Sequence, residues 1–87
     1  MGRYRILIKA SARKEIETID RKGDRQRIVR RIRSLAANPR PPGCEKLSGQ
    51  ERYRVRQGMY RIIYSVEEDE NLVVYVVKVG HRKDVYR

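Results

Sequence analysis

The sequence predicts a single α+β domain in which a helix hairpin packs on one face of a four-stranded, mainly antiparallel, curved sheet. Three observations predict it. A short alternating segment opens the chain, two stretches of helical periodicity follow, and three β-patterned segments close it, giving the order β-α-α-β-β-β. The 87 residues suit one small domain covering 1–87, with room for one modest core.

From Arg3 to Lys9, Tyr4, Ile6 and Ile8 alternate with Arg3, Arg5, Leu7 and Lys9, which is the period of a strand. Ser11 is a candidate N-cap for a helix from Ala12 to about Asp20, with Ile16 and Ile19 as its buried stripe. Lys22-Gly23-Asp24 interrupts the pattern. Asp24 can cap a second helix running to about Ala37, whose apolar face is Ile28, Ile32, Leu35 and Ala36. Asn38-Pro39-Arg40-Pro41-Pro42-Gly43 ends that helix, because proline lacks the N–H that would continue it. A loop through Lys46-Leu47-Ser48-Gly49 leads into strands over about 52–57, 59–66 and 71–79. Glu67 to Asn71 form the turn between the last two, and Asn71 to Val79 are apolar on both faces, as an interior strand requires.

Composition speaks to partners more than to fold. Lys and Arg number 22 against 11 Asp and Glu, a formal charge of +11. Such an excess favours nucleic acid first, an acidic protein second and an anionic membrane third. No segment has the ~20 apolar residues of a membrane span, and the N-terminus reads as a strand, with neither a signal peptide nor a myristoylation site expected. Cys44 is the one cysteine, so no internal disulfide can form, which fits a reducing cytoplasm. One His and one Cys cannot make a structural zinc site.

The segment Arg52-Tyr53-Arg54-Val55-Arg56 followed by Gln57-Gly58 and Met59-Tyr60-Arg61-Ile62-Ile63-Tyr64 reads as a hairpin. With Gln57 and Gly58 as loop residues, Arg54 lies opposite Arg61, Tyr53 opposite Ile62, Val55 opposite Tyr60 and Arg52 opposite Ile63. One face is then apolar and the other gathers guanidinium groups, with no acidic neighbour to pair them. Like charges placed opposite each other destabilise a sheet, so an anion is expected on that face. Five further arginines, Arg25, Arg27, Arg30, Arg31 and Arg33, crowd the second helix, where a solvated helix face is favoured over direct RNA contact. Tyr4, Tyr53, Tyr60, Tyr64 and Tyr75 suit core or half-buried positions, whereas Tyr86 stands in a charged tail as a base-stacking candidate. His81 adjoins Arg82 and is a candidate proton carrier, and Cys44 reads as a loop thiol without a role.

Taken in order, NPRPPG, KLSG, YRVRQGMYRIIY and VGHRKDVY make the chain resemble the RelE toxins of the RelE/ParE superfamily over nearly its whole length. The resemblance implies a ribosome-dependent, metal-independent endoribonuclease that cuts mRNA in the A site, without a cofactor. It implies an acidic, RelB-like antitoxin as partner, contact with ribosomal RNA, and operator DNA reached through the antitoxin. Residue by residue, Arg54 and Arg56 take the basic positions before the turn, where relatives can carry lysines. Arg61 takes the place of the arginine that stabilises the phosphate transition state, Arg82 of the group supporting the departing oxygen, and Tyr86 of the tyrosine stacking on the base. Arg54 departs from the pattern in one respect, since a guanidinium hardly ever loses its proton and is a poor base. Arg87 closes the sequence directly after Tyr86, so inhibition by displacing a further C-terminal helix is not expected. Two other readings stay open: a ParE-like inhibitor of DNA gyrase and a catalytically inactive antitoxin-binding module.

Overall fold

The computed structural model describes residues 3–49 and 51–81. Its elements are β1 (Arg5–Ile8), α1 (Ala10–Glu17), α2 (Lys22–Ser34), β2 (Glu45–Lys46), β3 (Tyr53–Gln57), β4 (Tyr60–Glu68) and β5 (Leu72–His81). The sheet has five strands, in the order β1-β5-β4-β3-β2, where the sequence predicts four. The additional strand, β2, is two residues long, too short for any periodicity to announce it. The β1–β5 pair is parallel and all others are antiparallel.

Both helices begin earlier than their expected caps. Lys9 precedes α1 without a side-chain capping bond, which puts Ser11 inside the helix, and Thr18 rather than Asp20 follows its end. Gly23 and Asp24 lie in the first turn of α2, where Asp24 pairs with Arg27 at 3.4 Å instead of capping. That helix stops at Ser34, short of Ala37. The Arg25 guanidinium fastens the connection between the helices by donating to the carbonyls of Ile19 and Asp20.

The core lies between the helices and one sheet face. Ala12, Ile16, Ile19, Ile28, Ile32 and Leu35 meet Val55, Ile62, Tyr64, Val74, Val76 and Val79. A bulge makes the last three compatible. Ile63 pairs with Lys78 and Tyr64 with Val76, so Val77 is an extra residue that turns both Val76 and Val79 inward. Tyr64 is fully buried; its hydroxyl donates to the Pro39 carbonyl at 2.6 Å and stands 3.4 Å from the Cys44 sulfur. Burial, reinforced by that thiol, pushes the Tyr64 pKa well above the ordinary tyrosine range. Cys44 thereby becomes part of the seat for the proline-rich loop. Tyr75 departs from expectation, being exposed opposite Leu7 on the outer face.

At the far end of β4 from the hairpin turn, Glu68 accepts from Tyr4 at 2.6 Å and from the Arg40 guanidinium. Arg40 also lies over the Tyr53 ring, 5.1 Å from its centroid, and Tyr53 stacks on Tyr64 at 5.9 Å. This network joins β1, the proline-rich loop and the sheet. Past Ile8, where β1 ends, α1 takes over the β5 edge: the Glu15 carboxylate accepts from the Val79 N–H at 3.1 Å and pairs with Lys78 at 3.0 Å. No helix among the described residues is long and apolar enough to cross a membrane.

Candidate active site

The hairpin forms between β3 and β4 with a register two residues away from the expected one. Arg56 pairs with Arg61, Val55 with Ile62, Arg54 with Ile63, Tyr53 with Tyr64 and Gln57 with Tyr60. Gly58 and Met59 are the loop residues. Gly58 adopts φ 59° while no non-glycine residue among the described residues has positive φ, which is the requirement of a two-residue turn with glycine first. Because side chains alternate with period two, a shift of two leaves every residue on its expected face. Arg54, Arg56 and Arg61 therefore do share the face opposite the helices, and Arg56 is the one directly across from Arg61.

Across β3, β4 and β5 the row nearest the turn reads Arg56, Arg61, Gly80. The next reads Arg54, Ile63, Lys78, with Glu45 of β2 directly opposite Arg54 on its other side. Gly80 beside Arg61 contributes no side chain to the β5 end of this row. Arg54 and Arg61 are each only 9% exposed, whereas Arg56 is exposed. The guanidinium of Arg54 donates to the Glu45 carboxylate. The sequence expectation that no acid pairs these arginines is thus overturned. β2 brings Glu45 across the sheet from nine residues upstream, and nothing in the local pattern signals that contact.

Glu45 is the functional candidate that the sequence did not reveal. Its side chain is 59% exposed, so its second oxygen remains accessible. Lys46 pairs with Tyr53, and the Leu47 N–H donates to the Arg52 carbonyl at 2.8 Å, closing the KLSG loop and fixing the β2 register. Arg52 itself is exposed and precedes β3.

His81 falls on the other side of the sheet. It pairs with Tyr60, whose ring it meets edge-on at 5.8 Å and 78°, while its neighbour Gly80 pairs with Arg61. Residues paired directly across strands share a face, so His81 faces the helix side and lines an open cleft of about 630 Å³ with Met59, Tyr60, Asp20 and Asp24. The sheet separates His81 from the arginine row. Arg82 and Tyr86 lie outside the described residues. No group of three His, Cys, Asp or Glu able to hold a metal occurs among the described residues.

Residues 6–86 match the family model for the ParE toxin of the type II toxin–antitoxin system parDE. Among solved structures, the chain is similar to the isolated Escherichia coli RelE toxin, with 28% identity, a TM-score of 0.75, and 95% of this chain and 90% of that one covered. It is also similar to RelE in the RelB–RelE antitoxin–toxin complex from Methanococcus jannaschii, with 26% identity, a TM-score of 0.69 and coverage of 92% and 94%. The RelBE2 toxin–antitoxin complex from Mycobacterium tuberculosis shares the fold, with 22% identity, a TM-score of 0.78 and coverage of 92% and 99%. No curated protein matches the sequence. The chain belongs to the ParE-toxin family. It is a toxin of type II toxin–antitoxin systems, of the RelE/ParE superfamily.

Proposed function

We propose that the protein is a ribosome-dependent endoribonuclease that cuts mRNA in the A site by attack of a ribose 2′-OH on the adjacent phosphorus. The observation that carries this reading is the Arg56–Arg61 pair, with the Glu45–Arg54 ion pair in the neighbouring row. A phosphate there receives guanidinium donors from two strands, and charge developing on its oxygens meets preorganised cations. Such an arrangement can neutralise the transition state through side chains alone.

Glu45 supplies what the arginines lack. A diagonal step across a sheet spans ~7–8 Å between backbones, so a phosphate on Arg56 and Arg61 puts its ribose within reach of the Glu45 carboxylate. Glu45 takes the 2′-OH proton as the O2′–P bond forms, and Arg54 holds that carboxylate in place. The P–O5′ bond breaks, leaving a 2′,3′-cyclic phosphate. The departing 5′ oxygen, supported by Arg82, takes its proton from that side or from water, and Tyr86 stacks on a substrate base. His81 is left out of the proton transfer by its position across the sheet. Positioning by the ribosome adds the several kcal/mol that well-oriented reactants gain.

An acidic RelB-like antitoxin is the proposed partner. RelE is complexed with RelB in the Methanococcus jannaschii structure, and a chain of +11 favours an acidic inhibitor. Contact with operator DNA would then come through that antitoxin. A second reading, gyrase inhibition, is favoured by the ParE name of the matching family. Induction in cells followed by mapping of mRNA 5′ ends separates them: cuts in phase with codons select the ribonuclease, and DNA damage without cuts selects the gyrase inhibitor.

A further inference from the structure

The five arginines of α2 do not form one uniform solvated face. Arg25 is spent on the Ile19 and Asp20 carbonyls, and Arg33 is exposed. Arg27, Arg30 and Arg31, with Ser34, instead line an open hollow of about 360 Å³ together with Gln57, the last residue of β3. Residues three and four apart stand together on a helix, and like charges at that spacing repel. Arg27 has partial relief from Asp24. The Nε of Arg31 is buried without a hydrogen-bond partner, an unmet donor. Three cationic side chains, a hydroxyl and an amide around one hollow are the complement of a phosphate group.

We propose that this hollow is a second phosphate site, which takes a backbone phosphodiester of the RNA strand on its way to or from the arginine row. The inference rests on the ribonuclease reading for the identity of the polymer. Topology supports the route. β2 pairs with β3 only at Tyr53 and Arg54, so the β3 edge at Arg56 and Gln57 is not covered by β2. Arg56 points to the open face, and Gln57, the next residue, points to the helix side. A strand held at Arg56 can pass over this edge into the hollow. Part of the RNA affinity then resides outside the cleavage row, and the α2 arginines bind as well as attract.

The test uses the unmodified protein with a 2′-O-methyl RNA oligonucleotide, which lacks the nucleophile, and separately with inorganic phosphate. The Arg31 Nε–H and Gln57 side-chain amide signals are followed by NMR beside the Arg61 Nε–H. The expected result is that the RNA shifts the Arg31 and Gln57 signals together with Arg61, and that inorganic phosphate moves the first two at higher concentration. Replacing Arg30 and Arg31 by glutamine should reduce the slope of log affinity against log salt by about 0.7, one single-strand phosphate contact. If RNA shifts Arg61 and leaves Arg31 and Gln57 in place, the second site is overturned whatever phosphate does, and the ribonuclease reading stands. If Arg31 and Gln57 respond to RNA but ribosomal mRNA is never cut, the site stands and the catalytic reading fails.

Discussion

Glu45 lies directly opposite Arg54 across the β2–β3 pair, and its carboxylate accepts a hydrogen bond from the Arg54 guanidinium. An arginine that is a poor base by itself is thus hydrogen-bonded to a carboxylate, the kind of group the proposed proton transfer needs. The reaction proposed for this face depends on that pairing more than on the number of its positive charges.

Glu45→Gln should slow cleavage of ribosome-bound mRNA by ~10²–10⁴, the usual contribution of a general base. Stability should fall as well, because the guanidinium that Glu45 accepts from is only 9% exposed and a buried charge gains more from a charged acceptor than from a neutral one. Single-turnover rates, with a thermal melt as control, check both parts.

His81→Ala should leave the cleavage rate as it is in the parent protein, because Gly80 stands across from Arg61 while His81 pairs with Tyr60 on the other face. The same single-turnover series measures it. A large loss of rate in this variant would move the proton-transfer role from Glu45 to His81.

Tyr64→Phe should cost ~1–3 kcal/mol, the range for leaving a buried acceptor unmet, here the Pro39 carbonyl. Denaturant unfolding reads this directly. Alkali should act on the same group. Its folded pKa is raised, so its contribution is complete below the ordinary tyrosine range near ~10 and falls as pH rises beyond it. Tyr64→Phe should show a weaker alkaline loss than the parent protein.

Acid should act through Glu68. The Arg40 hydrogen bond, and secondarily that from Tyr4, holds its pKa below the usual carboxylate value. A depressed folded pKa means stability present above the unfolded value near ~4.3 and lost as pH falls through the folded one. The melting temperature should drop over that window, and less so in Glu68→Gln. Both residues are largely solvated, so high salt should shrink the difference.

Much of this was legible in the sequence wherever the signal was local. The alternation from Tyr4 to Ile8 and the stripe Ile28–Ile32–Leu35 appear as read, and the hairpin appears with its faces as read but its register shifted by two. Local chemistry misled at the ends. Ser11 and Asp24 are good caps by type, yet α1 and α2 begin before them, and neither N-cap position, Lys9 or Arg21, makes a side-chain capping bond. At the hairpin the glycine was seen, but not that its positive φ belongs to the first loop position. The face of each arginine came out right and its partner wrong. Glu45 was invisible because a two-residue strand has no period, and its meeting with Arg54 exists only once the sheet is assembled. His81 shows the converse: adjacency to Arg82 in sequence says nothing about which side of β5 it takes.

The central claim, that Arg61 stabilises a scissile phosphate on mRNA held by the ribosome, meets its most direct test in single-turnover cleavage of A-site mRNA by the parent protein and Arg61→Ala. The account predicts codon-phased cuts by the parent protein, much slower cutting of the same RNA when naked, and a ~10²–10³-fold loss in the variant. Equal rates for parent protein and variant on the ribosome would contradict it.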